Sequence, residues 1–395
     1  MVVLKFAFLA FLLSLSFGQL GRIPLPQKEI GLYTAEVLLS LTLFAYFLYL
    51  FKKKKGLPRL PLFGQILSFA LFGFISLVLS FRLFAREEIF TGSLYLIRWV
   101  AYALVYFLTF EVVKFFGRES IVKVLILIGI VLAFLGFLQL LVFPDFSFMV
   151  NFGWDPHYLR LLSTFFDPNF CGGFFVIVLS LLVSLYLFTS QRILLHLSLV
   201  VYLALLLTYS RSSYFAFLLS MLVIGVLREK KVFLVALLAF LLSLQLNPRV
   251  KTRVEGAIAV DESASHRLSS WESSLVVIRN HPFFGVGFNN YRYAQLKYGL
   301  VDPVSKGGHA GAGVDSSFLF VWATMGIFGL VLYFWLLGKS AFISYSKAKK
   351  DPFALAFLSS LFGILFHAQF VNSLFFPPIM AYLWTILGLS EVNKN

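Results

Sequence analysis

Long apolar stretches alternate with polar connections along almost the whole chain. A helix needs about 20 mostly apolar residues to cross a bilayer, because lipid offers no partner to exposed backbone groups. The pattern therefore predicts an all-α polytopic membrane protein with about twelve transmembrane helices. The predicted spans lie near Leu4–Phe17, Tyr33–Phe51, Gln65–Phe81, Ser93–Phe110, Ile121–Phe143, Phe170–Phe188, Ile193–Leu207, Tyr214–Leu227, Val232–Leu246, Ser316–Leu337, Phe353–Phe370 and Leu374–Leu389.

Basic residues are concentrated in every second connection, and this asymmetry predicts the orientation of the chain. Cytoplasmic loops carry an excess of Lys and Arg, so the basic connections and both termini are expected in the cytoplasm. The basic connections contain Lys52–Lys55 with Arg59; Lys114, Arg118 and Lys123; Arg192; Arg228, Lys230 and Lys231; and Lys339, Lys347, Lys349 and Lys350.

The first apolar stretch has a second interpretation. Lys5 precedes it, and Ser16-Phe17-Gly18 ends it in the manner of a small-residue cleavage site, as in a secretory signal peptide. Cleavage there removes one helix and leaves the rest of the topology unchanged.

The composition excludes a soluble fold and argues against a nucleic-acid partner. Hydrophobic residues make up 60% of the chain and charged residues only 13%, while Lys plus Arg outnumber Asp plus Glu by 33 to 18. Because the surplus cations lie between the apolar stretches, lipid headgroups account for them better than nucleic acid does. The single Cys171 allows neither an intrachain disulfide nor a thiolate metal cluster.

The connection between Leu246 and Asp315 is far longer than the others and rich in Gly and charged residues. Long connections in compact proteins are usually functional, and this one falls on the external side. From His266 to Arg279 the apolar residues recur at helical spacing, which predicts an amphipathic helix at the membrane surface. The chain is thus divided into nine transmembrane helices over residues 1–246, a long external loop over 247–315, and three further helices over 316–395.

Three arginines on the predicted external side stand out, namely Arg160, Arg211 and Arg267, because an arginine at the outer end of an apolar helix with no nearby acid is a candidate site for an anion. A guanidinium group keeps its charge and matches phosphate oxygens in a bidentate manner, so a convergence of the three predicts a pyrophosphate site at the membrane surface. For each arginine taken alone, the alternative is an interfacial anchor that reaches towards the lipid headgroups.

Five segments in a fixed order carry these arginines, and together they resemble a known family. The segments are Arg160 with Ser163–Asn169, Thr208–Ser212, Ser265–Trp271, Asn280–Phe288, and Asp315–Leu319 with Gly326–Gly329. Their sequences and order, with the long loop between the ninth and tenth helices, resemble the O-antigen ligase family and its polymerase relatives. Within them Gly285-Val286-Gly287 lacks the third glycine of a dinucleotide fingerprint, and it predicts a loop where backbones approach closely.

The resemblance implies a metal-independent, inverting glycosyltransferase that works without a cofactor. It implies transfer of a glycan from undecaprenyl pyrophosphate to an acceptor hydroxyl at the periplasmic face of a bacterial inner membrane. In that family the arginines matching Arg211 and Arg267 are thought to hold the pyrophosphate. The acceptor of a ligase is the lipid A core of lipopolysaccharide, and the acceptor of a polymerase is another lipid-linked repeat.

The chain departs from the family's pattern where the tenth helix begins. Ligases usually carry His-Asn there, with the His proposed as general base, whereas this chain has Asp315-Ser316. Asp315 and His309, which lies in a Gly-rich tract upstream, are the two candidate bases for the acceptor hydroxyl. The alternative role of Asp315 is to cap the helix. The alternative for His309 is that it is an ordinary loop residue. Because of this departure from the family's pattern, a polymerase stays an alternative to a ligase.

A transporter of the lipid-linked glycan is the alternative from another class. It predicts charged residues near mid-membrane and internally repeated halves with broken helices. The ionisable residues of this chain instead cluster at the outer surface, and the long loop occurs in one half only. The sequence therefore favours a transferase.

Overall fold

The computed structural model describes residues 1–23, 31–256, 262–301 and 313–392, and this part of the chain is almost entirely helical. The two strands within it are short, β1 (Arg22–Ile23) and β2 (Leu32–Tyr33), and they pair antiparallel. The helices are α1 (Val2–Ser14), α2 (Thr34–Lys52), α3 (Phe63–Leu79), α4 (Arg86–Phe116), α5 (Glu119–Val142), α6 (Pro168–Thr189), α7 (Ile193–Leu207), α8 (Arg211–Leu227), α9 (Lys230–Leu246), α10 (Pro248–Glu255), α11 (Glu262–Asn280), α12 (Tyr291–Lys297), α13 (Ser317–Lys347), α14 (Pro352–His367) and α15 (Pro377–Glu391).

Every apolar stretch predicted to span the membrane is helical in the structure. Within the described ranges, seven helices are long and apolar enough to cross a bilayer, or eight if α9 and α10, which meet at a bend of 104°, form one broken span. The helices α7, α8 and α14 are apolar but shorter. The all-α polytopic architecture is thus confirmed, while the number of about twelve crossings stays a prediction.

The helices at the centre of the bundle are α6, α8 and α14. In the apolar stretch of α6, 78% of the residues are buried inside the protein, compared with 33% in the first span, Val2–Gly21. The helix α14 packs against both α6 and α8, and α15 packs against α4 and α6. Peripheral helices such as α3 and α9 expose Leu, Phe and Val side chains, as lipid-facing helices do. The ends of the central helices form much of the candidate site.

Alternate connections meet at opposite ends of the bundle. At one end Arg118, after α4, forms an ion pair of 3.0 Å with Asp351, which precedes α14. At the other end Arg249 of α10 donates to the carbonyl oxygen of Leu159, between α5 and α6, at 3.0 Å. Both contacts join connections that the charge pattern assigns to one side, so the structure agrees with the predicted alternation.

The described part of the long connection after α9 contains the helices α10, α11 and α12, and α11 is the predicted amphipathic helix. This helix packs against α13 and contributes Val277 and Ile278 to a second, smaller core. Val286 and Phe320 join that core from the following loop and from α13. The connection is therefore attached to the bundle through apolar packing, whereas its boundaries at residues 247 and 315 stay predictions.

Two glycines let the loop after α11 lie directly against a kink in α13. Gly326 has φ +66° inside α13, and a Cβ there would lie 2.1 Å from the backbone of Phe283. A Cβ at Gly285, with φ +69°, would lie 2.3 Å from the backbone of Thr324. The close backbone approach predicted for the Gly-Val-Gly segment is thus confirmed, and Gly326 is its partner across the contact.

Gly326→Ala is expected to destabilise the protein by about 2–4 kcal/mol, because the new methyl group meets backbone atoms and the φ angle disfavours any side chain. The melting temperature of the purified protein in detergent measures this. Gly338→Ala, on the same helix but with nothing within 4 Å of the added Cβ, is the matched control. Equal melting temperatures for the two variants would contradict the role assigned to Gly326.

Candidate functional site

A cavity of about 1050 Å³ opens at the end of the bundle where the predicted external connections meet. Its walls come from the loop between α5 and α6, from α4, α11 and α12, and from the segments that precede α13 and α15. Charged and ionisable side chains converge on it from these separate parts of the chain. They are Arg98, Asp155, His157, Arg160, Asp167, Arg253, His266, Arg267, Arg292 and Asp315.

Arg160 lines this cavity and is fixed by two backbone carbonyls. Its Nε donates to the oxygen of Thr208 at 2.9 Å, and its Nη2 donates to that of Tyr209 at 3.3 Å. Burial, together with the nearby charge of Arg253, lowers the pKa of Arg160 to about 9. The side chain therefore keeps its positive charge at neutral pH, and it ties the α5–α6 loop to the turn before α8.

Arg267, on α11, also lines the cavity. It lies close enough to Arg160 and to Asp315 to influence the pKa of both groups. Two of the three predicted arginines therefore share one cavity, although they are far apart in the sequence. This is the arrangement that an anion site requires.

Arg211 is the first residue of α8 and is buried, with 9% of its surface exposed. It is not among the cavity-lining residues. The residue before it, Ser210, donates from Oγ to Oδ1 of Asn169 at 2.9 Å, and Asn169 does line the cavity. Arg211 therefore lies behind the wall to which Arg160 and Asn169 belong.

Asp315 lies at the cavity directly before α13, and its backbone is bound on both sides by α11. Its N–H donates to Oγ of Ser270 at 3.1 Å, and its carbonyl accepts from Nε1 of Trp271 at 3.0 Å. Ser316, not Asp315, caps α13, because the Ser316 Oγ accepts from the N–H of Leu319. Capping is thus the wrong role for Asp315, and its carboxylate is available to the cavity.

The pKa of Asp315 is raised to about 6, mainly by burial and also by the nearby Asp167 and Asp155, while the charge of Arg267 opposes the rise. A carboxylate with this pKa is mostly ionised at neutral pH and is a stronger base than an exposed aspartate. The other candidate base, His309, lies outside the described residues.

Several cavity residues escaped the sequence-based prediction. Asp167 appeared only as part of a motif, and the structure shows it capping α6 through the N–H groups of Asn169 and Phe170 at 2.6 and 2.9 Å. The Asp-Pro pair is a typical helix start, so the capping role of Asp167 could have been predicted from the sequence. The sequence contained no signal for the position of Asp167 at the cavity. His157 lies in an aperiodic loop, and burial lowers the pKa of its imidazole. Within the described residues, no group of three or more His, Cys, Asp or Glu side chains is arranged to hold a metal ion.

Comparison with known proteins gives one family. Residues 193–334 match the family model described as O-antigen ligase. No curated protein matches the chain. The matched stretch runs from α7 into α13 and contains Arg211, Arg267 and Asp315. The match confirms, over residues 193–334, the resemblance to the O-antigen ligase family that was drawn from the motifs.

Proposed function

We propose that this protein transfers a glycan from undecaprenyl pyrophosphate to an acceptor hydroxyl, in the manner of an O-antigen ligase. One observation carries the proposal: Arg160, Arg267 and Asp315 line the same cavity, with the pKa of Asp315 raised to about 6. A site of this kind provides fixed cations for a diphosphate and a carboxylate of suitable basicity for a hydroxyl.

In the proposed reaction the pyrophosphate lies against Arg267 and Arg160, with Arg211 behind them at the start of α8. The acceptor oxygen forms a bond to the anomeric carbon as the bond from that carbon to the pyrophosphate oxygen breaks. The proton of the acceptor hydroxyl moves to Asp315, and His309 stays the alternative base. Negative charge grows on the departing pyrophosphate, where the arginines stabilise it, and inversion follows from a single displacement.

The cavity is assigned to the periplasmic face of a bacterial inner membrane. This rests on the basic connections, which the positive-inside rule assigns to the cytoplasm and which lie at the other end of the bundle. The contact between Arg118 and Asp351 at that end supports the assignment. An undecaprenyl chain in the surrounding bilayer would then present its pyrophosphate at the depth of the cavity.

A polymerase that extends a lipid-linked repeat is the second candidate, and Asp315-Ser316 in place of His-Asn is the observation that favours it. Gel analysis of lipopolysaccharide from a deletion strain tests both. If the protein is a ligase, its deletion leaves bare core and accumulated long lipid-linked glycan. If it is a polymerase, its deletion leaves core capped with a single repeat. Unchanged lipopolysaccharide and exopolysaccharide would contradict both candidates.

A further inference from the structure

A buried chain of hydrogen bonds runs from the end of α14 to the cavity wall. The Oγ of Ser373 lies 2.5 Å from Nδ1 of His367, and Nε2 of His367 lies 3.1 Å from Oγ of Ser213. Ser213 donates to Oγ of Ser210 at 2.8 Å, and Ser210 donates to Oδ1 of Asn169 at 2.9 Å. Of these residues Asn169 lines the cavity, while His367 is fully buried behind it.

The donors in this chain all point the same way. A neutral imidazole has one N–H donor and one bare nitrogen acceptor, so the two sides of His367 must differ. Oδ1 of Asn169 can only accept, so Ser210 donates to it, and the single hydrogen of the Ser213 hydroxyl is used in the bond to Ser210. The Ser373 hydroxyl therefore donates to Nδ1, and the Nε2–H of His367 donates to Ser213. Ser213 and Ser210 then each accept one bond and donate one, and the last acceptor is Oδ1 of Asn169.

The bond from Ser210 determines which end of the Asn169 carboxamide faces the cavity. Because Oδ1 is held by Ser210, the amide nitrogen is the end left for a ligand. It makes no hydrogen bond with any described residue. An amide nitrogen donates only, so its partner in the cavity must be an acceptor, such as a phosphate oxygen.

The packing of the helices leaves room for this chain of hydrogen bonds. A Cβ at Gly172 would lie 2.3 Å from the Oγ of Ser213, and one at Gly173 would lie 3.1 Å from the His367 ring. Two consecutive glycines on α6 therefore make room for the two members of the chain that cross from α8 and α14. The close fit holds the chain between three central helices.

We propose that Asn169 is a ligand-binding residue that donates to a pyrophosphate oxygen, and that His367 is a positioning residue that orients it through Ser213 and Ser210. The inference rests on the proposed function and identifies a neutral donor beside the arginines. Hydrogen bonds to charged groups are worth about 1.5–3 kcal/mol, so loss of this one should weaken donor binding about tenfold or more.

The test is a titration of undecaprenyl pyrophosphate into the purified protein in nanodiscs, followed by the fluorescence of the cavity residues Trp99 and Trp154. Asn169→Asp, which replaces the donor by a carboxylate oxygen, is expected to raise Kd at least tenfold. Asn151→Asp, an exposed position outside the cavity lining, is the matched control and should leave Kd unchanged.

A double-mutant cycle tests the role of His367. His367→Phe should raise Kd in the natural protein but add nothing in an Asn169→Ala background, because the two residues act as one unit. Additive effects would mean that His367 only supports the fold and would overturn its positioning role. If His367→Phe does not fold, Ser213→Ala takes its place, with Ser220→Ala, a buried serine on the same helix, as control.

The outcomes separate this inference from the proposed function. A natural protein that transfers glycan while Asn169→Asp binds the lipid normally would overturn the role of Asn169 alone. A natural protein that neither binds nor uses the lipid pyrophosphate would remove the proposed function as well.

Discussion

Arg267→Ala is expected to lower glycan transfer a few hundredfold while the protein still accumulates in the membrane. Arg267 lines the cavity and is placed to meet the negative charge that develops on the departing pyrophosphate. Loss of one fixed donor to such a charge costs about 3 kcal/mol in other enzymes. The measurement is the initial rate of transfer from lipid-linked donor to acceptor glycan with the purified protein in nanodiscs.

Arg279→Ala is the matched control for this prediction. Arg279 lies on the same helix, is exposed and is not part of the cavity lining, so its loss should leave the rate nearly unchanged. Equal rates for Arg267→Ala and the natural protein would remove the proposed anion site. A transporter of the lipid-linked glycan would form no glycosidic bond in this assay, whichever variant is used.

Arg211→Ala tests whether Arg211 belongs to the anion site, because Arg211 lies behind the cavity wall in the structure. The proposal expects a loss of the same order as for Arg267→Ala, since both arginines would act on one diphosphate. A large loss for Arg267→Ala with none for Arg211→Ala would retain the cavity and exclude Arg211 from the site.

Hydropathy located the helices but not their ends. The span predicted at Ser93–Phe110 belongs to α4, which begins at Arg86, and the one predicted to end at Leu337 belongs to α13, which continues to Lys347. The extra turns contain Glu87, Glu88 and Lys347 and lie outside the apolar windows. A hydropathy window reports where lipid surrounds a helix, whereas the helix itself ends where its backbone finds a cap or a turn.

The candidate site could be predicted only where a charge conflicts with its surroundings. Arg160 and Arg267 stood out because arginine near apolar helices is costly, and the structure places both at one cavity. The sequence contained no comparable signal for His157, and it did not identify the partners of His367. Their roles depend on burial and on partners that tertiary packing supplies, such as Ser213 beside His367.

Replacement of Asp315 by Asn is expected to remove most of the transfer activity, about a hundredfold to ten-thousandfold, if Asp315 takes the proton of the acceptor hydroxyl. The base must be ionised to act, and the pKa of Asp315 is raised to about 6 by burial. In the natural protein kcat/KM should therefore be constant above that pH and fall about tenfold per unit below it. Asp315→Asn should lose this acid limb, because its residual activity no longer depends on that proton.

Asp145→Asn is the control, since Asp145 is exposed, lies outside the cavity lining and should leave both the rate and the acid limb unchanged. An acid limb that persists in Asp315→Asn would assign the base to another residue, with His309 as the next candidate.

The pH dependence of the residual activity of Arg267→Ala gives a second check on the same assignment. The structure determines the direction in which the acid limb should shift. The charge of Arg267 lowers the pKa of Asp315, so its removal should raise that pKa and move the acid limb to higher pH. Arg267→Lys keeps a positive charge and should move the limb less. A shift to lower pH in Arg267→Ala would contradict the proximity of the two groups, because loss of a neighbouring cation can only favour the protonated carboxyl.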